Sequence, residues 1–342
     1  METRKVQRLG PSTLAMTLPA EWAKKNGVEK GDEVSIRQGG KGSLTVMPER
    51  AHDEESEAIV HADNLDAAAV ERAIVAQYVL GRRVIYIESE GTLDSAHINA
   101  VYRAETQLMG LGVIEETPER IAIRCSVDPE DFTLDNLLER LESTGSTMRG
   151  EAVKALAHGN PDLAQRALNR ERQANKIFVL MLRLIFTAHR NPNLARAIGL
   201  DSGFSLIGYR SIAKNLELTA DNAEDIAEIV LDAEGHSLPV DQPTIRRIQE
   251  FTDRVGEITA KAVQAAVERD YDLTIEVREL FHEISDRERE ILLDLPEMPN
   301  EDLLQIREVL VSLQQTAQYA MRNAEIAANL AMNEKSEYTT IN

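Results

Sequence analysis

Four oxygen-bearing side chains stand in two pairs four residues apart, Glu171 with Asn175 and Glu217 with Asp221. Residues at that spacing share one helix face, so two such helices laid together would offer three carboxylates and an amide. Oxygen donors of this kind suit one hard divalent cation, or a ferric ion, better than a soft metal. A plainer source exists for the same pairs. With 58 acids in 342 residues, about ten acidic pairs at this spacing arise by random placement alone, and a solvated acidic surface would contain them. Catalytic patterns are scarcer still. Glu279 and His282 make one Glu-x-x-His spacing without the second that a di-iron carboxylate site needs. Gly39-Gly40-Lys41-Gly42-Ser43 fails the phosphate-loop pattern, and neither a nucleophile elbow nor a dinucleotide fingerprint occurs. The expectation is a protein that is not an enzyme.

The charge sets a frame for these residues. The chain carries a net charge of −20, and its 38 bases divide into 28 arginines and ten lysines. Acid excess with little lysine points to a salt-loaded, halophilic cytoplasm. Residues 1–50 hold nine bases and six acids, whereas the remainder holds 29 bases and 52 acids. A basic head on an acidic body implies that the head meets a polyanion. The single cysteine, Cys125, excludes an internal disulfide. No stretch approaches the ~18 apolar residues of a membrane span, so membrane insertion is not expected. Met1 is followed by Glu2, Thr3, Arg4 and Lys5 with no apolar run behind them, and the expected compartment is the cytoplasm.

The elements that must position these residues fall into segments of different texture. Residues 1–50 read as short strands at Lys5–Leu9, Leu14–Leu18, Glu33–Ile36 and Leu44–Met47, with a helix over Ala20–Asn26 that Pro19 opens and Gly27 stops. So small a unit can hardly bury a core alone, and a partner chain is implied. A polar linker, residues 51–58, leads into a small α/β unit over 58–128. From Asp131 the pattern is helical and repeats itself. Ala152-Val153 recurs as Ala262-Val263 and Asp162-Leu163 as Asp272-Leu273, both 110 residues on; Asn222-Ala223-Glu224 recurs as Asn323-Ala324-Glu325, 101 residues on. Cap and break signals divide each repeat into three long helices, giving units at 131–236 and 240–334. The loop between the second and third helices of the first repeat is expected at Asn191–Asp201.

Two resemblances add to this. The run Val6-Gln7-Arg8-Leu9-Gly10-Pro11-Ser12 through Leu18-Pro19-Ala20-Glu21-Trp22, followed by Gly27-Val28-Glu29-Lys30-Gly31-Asp32-Glu33-Val34, resembles the AbrB/MazE/SpoVT swapped-hairpin domain. The resemblance implies a homodimer whose hairpins interleave into one small β barrel, and binding to double-stranded DNA. Thr17 stands where that family often has a base, two residues before Pro19, so Arg4, Lys5 and Arg8 are the preferred DNA contacts, with Lys24 and Lys25 beside them. The run Leu216 to Glu228 is similar to the third-helix signature of the PhoU family, and Asp162-Leu163-Ala164 leading to Glu171 and Asn175 is similar to its second helix. That resemblance implies a body of two tandem three-helix repeats, a metal site at Glu171, Asn175, Glu217 and Asp221, and negative control of phosphate uptake. Its partners would include the ATPase of a phosphate transporter or a signalling kinase.

In the second repeat Gln318 and Arg322 replace Glu217 and Asp221, and Phe281 and Ser285 replace Glu171 and Asn175. One metal ion at most is therefore expected, with Arg322 free to hold a phosphate or to pair with an acid. The fold class expected is multi-domain: a small β head, a small α/β unit and an all-helical bundle. The function expected is a DNA-binding regulator of phosphate homeostasis. An adaptor that does not bind DNA and an antitoxin-like partner protein are the alternatives.

Overall fold

The computed structural model describes residues 3–38, 44–48, 57–200, 203–232, 241–333 and 338–340. Its contacts separate two compact units, Met1–Ala58 and Ile59–Asn342.

In the first unit, β1 (Gln7–Arg8) pairs antiparallel with β2 (Leu14–Ala15), α1 spans Ala20–Lys25, and β3 (Val34–Gln38) pairs antiparallel with β4 (Leu44–Pro48). The first two strands are shorter than the sequence pattern because only two residue pairs join the ladder. Gly27 takes φ +61° just after α1, a left-handed turn that ends the helix. None of the described side chains over residues 3–38 is buried. Leu9 is 73% exposed and Ile36 66% exposed. The tip Gly39–Gly42 and the linker residues 51–56 lie outside the described residues.

From β5 (Glu57–His61), which spans the division, the chain continues through α2 (Ala67–Val79), β6 (Val84–Glu88), α3 (Ser95–Gln107), β7 (Leu111–Glu116) and β8 (Arg120–Cys125) of the second unit. The sheet order is β5-β6-β8-β7. β8 runs antiparallel to both neighbours, with Ile85 opposite Ile123 and Ile87 opposite Ile121. Those isoleucines pack with Ile74 and Tyr78 of α2 and Val101 of α3 in one cluster. The cluster continues without a break into the helices that follow. These are α4 (Leu134–His158), α5 (Pro161–Arg190), α6 (Pro192–Ala197), α7 (Gly203–Asp232), α8 (Gln242–Glu268), α9 (Tyr271–Leu293) and α10 (Asn300–Met332). α6 lies within the segment read as a loop; its Leu194, with Ile198 just beyond it, turns inward. No helix among the described residues is long and apolar enough to cross a membrane.

The repeat visible in sequence has counterparts in hydrogen bonds. Asn160 Oδ1 accepts from the backbone N–H groups of Asp162 and Leu163 at 3.0 and 3.2 Å, capping α5. Asp270, 110 residues on, accepts from Asp272 and Leu273 at 2.8 and 3.2 Å and caps α9 in the same way. The residue before each cap is left-handed with φ 58°: Gly159 in the first repeat and Arg269 in the second. α7 and α10, the third helices, pack on one another and exchange a reciprocal pair of bonds. Asn215 Nδ2 donates to Asn323 Oδ1 at 2.7 Å, and Asn222 Nδ2 donates to Thr316 Oγ1 at 3.1 Å. Asn323 is the counterpart of Asn222, and Thr316 that of Asn215, so the seam is two-fold symmetric in its positions.

Candidate functional site

α7 carries seven residues spaced alternately three and four apart: Ile207, Arg210, Lys214, Glu217, Asp221, Glu224 and Glu228. That spacing makes one continuous stripe. It changes character along its length, from an apolar end through two bases to four acids. α5 packs on α7 and runs back along it. Lys214 Nζ lies 5.5 Å from the centre of the Phe178 ring and pairs with Glu217, which fixes the level of one helix against the other. From Glu171 the facing stripe of α5 passes through Asn175 and Leu182 to Phe186.

Glu171, Glu217 and Asp221 are thus brought close enough to feel one another's charge. Burial raises the Glu171 carboxyl above the usual range, and Glu217 adds to the rise against the pull of Arg172. Asp221 is pushed up to about 6, first by burial and then by Glu217, with Lys214 opposing. Asn175 is half-buried on the same α5 face, one turn beyond Glu171. The sequence pairs left out a fourth acid. Glu224 is pushed up to about 7 by burial, then by Glu171 and Glu228. Asp225, beside it, is raised by burial and by Glu228 and Glu308, the last from α10. The continuing spacing of three and four from Asp221 to Glu224 and Glu228 was the signal that could have found this extension.

Hard oxygen donors with uncompensated charge fit a hard cation in their chemistry. The ladder does not preform a cage: among the described residues no group of three His, Cys, Asp or Glu is placed to hold a metal ion. Lys214 already neutralises part of Glu217.

At the matching positions of the second repeat, the described residues Phe281, Ser285, Gln318 and Arg322 provide no such carboxylates. Arg322 is exposed with its guanidinium 5.5 Å from the Tyr319 ring, a stacking contact. Ser285 Oγ donates to the Phe281 carbonyl at 3.0 Å and accepts from Gln314 Nε2 at 3.1 Å, which ties it into the helix pair. A separate cleft of about 700 Å³ between α8 and α9 is rimmed by acids. Its two arginines are spent on local pairs, Arg254 with Glu257 at 2.7 Å and Arg287 with Glu250 at 2.9 Å.

In the head, Arg8 lies on β1, while Arg4 and Lys5 precede the strand on which the sequence pattern had set Lys5. Lys24 and Lys25 form the last turn of α1. All five side chains are exposed.

Comparison with known proteins finds two matches along the chain. Residues 7–53 match the family described as antidote-toxin recognition MazE, bacterial antitoxin. Residues 138–230, which run from α4 to near the end of α7, match the PhoU domain. Among solved structures, PhoU from Pseudomonas aeruginosa is similar at 20% identity and a TM-score of 0.49, over 59% of this chain and 96% of that one. The phosphate transport system regulatory protein PhoU from Streptococcus pneumoniae is similar at 16% identity and a TM-score of 0.44, over 59% of this chain and 94% of that one. No curated protein matches.

Proposed function

We propose that this chain, a MazE-like head ahead of a PhoU domain, is a homodimeric DNA-binding regulator of phosphate homeostasis that restrains phosphate uptake. One observation supports the reading above the rest: the head exposes Leu9, Leu14 and Ile36 and buries none of its described side chains over residues 3–38. A unit of this size gains a core when a second copy closes over those residues. Closure would set two copies of Arg4, Lys5, Arg8, Lys24 and Lys25 on one dimeric head, and a paired basic surface suits the phosphates of a double helix. The body then supplies the signal. A divalent or ferric cation held by Glu171, Asn175, Glu217 and Asp221 would relieve the repulsion among those acids, and the transporter ATPase or a signalling kinase would be its protein partner. No catalytic step is assigned.

Genome-wide DNA occupancy at high and low phosphate tests the function, with the Arg8→Ala chain as control. Specific sites near phosphate-uptake genes, lost in the variant, are the expected result; no retained fragment at any salt overturns it. Metal analysis tests the site separately. Wild type should carry up to one ion per chain, and equal content in a Glu217→Ala/Asp221→Ala chain would return these acids to the solvated surface. The MazE match favours one other reading, a head that binds a toxin instead of DNA. Co-purification of a small protein partner with the head, in place of DNA, would establish it.

A further inference from the structure

We propose that β5 is a docking edge for a second copy of this chain, the two β5 strands pairing antiparallel about Ile59 so that two four-stranded sheets become one of eight. The inference rests on the dimer proposed above and not on its binding to DNA. In the order β5-β6-β8-β7 the outer strands are β5 and β7, and among the described residues nothing pairs with the outer side of either. Such an edge presents a row of backbone N–H and C=O groups to whatever comes beside it. β7 is ill-suited to pairing. Its register shifts between Val113 and Glu115, and Ile114, Glu115 and Glu116 are exposed at the irregularity. Bulges and charges of this kind are how edges avoid pairing. β5, Glu57-Ala58-Ile59-Val60-His61, has neither proline nor lysine, and its central Ile59 is 53% exposed.

The strand is complementary to itself. Side chains alternate along it, Val60 buried in the core and Glu57, Ile59 and His61 exposed on the other face. Antiparallel pairing about Ile59 matches face to face in the two copies: Ile59 meets Ile59, Ala58 meets Val60, and each Glu57 meets the other copy's His61, with Cβ atoms ~4.5–5.5 Å apart. A slip of one residue would set the buried face of one strand against the exposed face of the other. A slip of two would set Ile59 against a charged or imidazole side chain. His61 already acts on Asp63 of its own chain, lowering that carboxyl, so its meeting with Glu57 selects the register more than it adds strength. Backbone bonds supply the affinity of a paired edge. Eight residues separate Pro48 at the end of β4 from Glu57, a reach of at most ~30 Å. Heads that pair would therefore hold two β5 strands at high effective concentration, and a short edge then closes without having to hold the dimer alone.

Crosslinking of cysteine variants of the full chain with a short bismaleimide tests this, since the native Cys125 is buried and does not compete. Ile59→Cys should link to itself about tenfold or more above Ile114→Cys on β7 and Tyr102→Cys on α3, both of which are exposed. Glu57→Cys and His61→Cys chains, co-expressed under different tags, should link to one another several-fold more than either links to itself, because the antiparallel register sets like positions four residues or about 13 Å apart. Circular dichroism checks that the variants fold, and the Glu57/His61 pair decides if Ile59→Cys does not. Sedimentation of the full chain gives its oligomeric state. A dimer that fails to link at position 59, links equally at 59 and 114, or links 57 and 61 to themselves as strongly as to each other overturns the strand pairing and leaves the head dimer standing; a monomer overturns both.

Discussion

Asp221 and Glu224 hold their protons to about pH 6 and 7, although in an unfolded chain both would be largely ionised by pH 5. A carboxyl whose folded pKa is raised binds more protons folded than unfolded between the two values, so stability falls as pH rises through that window and levels off above it. Glu142, Glu171 and Asp225 are raised by burial too and act with the same sign. The lowered groups act oppositely and at lower pH: Asp63, held down by Ser89, and Asp241, held down by Thr244, contribute stability that is lost as pH falls through their depressed values. The cation-free protein should therefore melt progressively lower between pH 5 and about pH 7, and Asp221→Asn/Glu224→Gln should flatten that slope. Thermal unfolding across the range checks it, and an unchanged slope in the double variant would remove these two carboxyls as its cause. Half of this cluster was legible in the sequence. Spacing alone put Glu217 with Asp221 and Glu171 with Asn175, but which faces of α5 and α7 meet depends on long-range packing that spacing does not contain.

Among the helices, Arg183 has the least legible role. It sits in the apolar run from Ile177 to Phe186, where a cation looks misplaced, yet it is buried and bound. Its Nη1 donates to the carbonyls of Tyr78 and Arg82 at 2.5 and 3.0 Å, and its Nη2 donates to that of Gly81 at 3.3 Å. Tyr78 lies in the last turn of α2 and Gly81 and Arg82 in the turn that follows it, an end of a helix that a cation serves well. Gly81 must stay small, because at φ +89° an added Cβ would come within 2.8 Å of Thr187 Oγ1. One α5 helix therefore both bears Glu171 and clamps the α/β segment. Arg183→Met should cost about 2–3 kcal/mol, since it leaves those carbonyls short of partners, as read in denaturant unfolding; a loss under about 0.5 kcal/mol would show that water replaces the guanidinium. Caps, by contrast, were plain in the sequence. Asn160, Asp241 and Asp270 each precede a helix and accept its first N–H groups. α6 escaped notice because six residues between two prolonged apolar patterns read as a connection.

At the scale of the whole molecule, the charge of the body predicts its response to salt. Residues 51–342 hold 52 acids against 29 bases, and self-repulsion of that charge weakens as the Debye length shrinks from ~30 Å at 0.01 M to ~3 Å at 1 M. The melting temperature should rise with potassium chloride over that range, and a flat profile would mark the acid excess as incidental. The seam between α7 and α10 carries a second expectation. Asn323→Ala strips Asn215 of its partner in a half-buried position, at a cost of about 1–3 kcal/mol, measured by the same unfolding.

That seam also obeys a rule of assembly. Asn215 binds Asn323 and Asn222 binds Thr316, so each position meets the counterpart of the other, which is the rule of an isologous contact between two identical subunits. A three-helix unit facing a second copy of itself would make the same pattern. Within one chain the two halves need not be identical, while the shared contact holds them together. One repeat can thus carry Glu217 and Asp221 where the other carries Gln318 and Arg322.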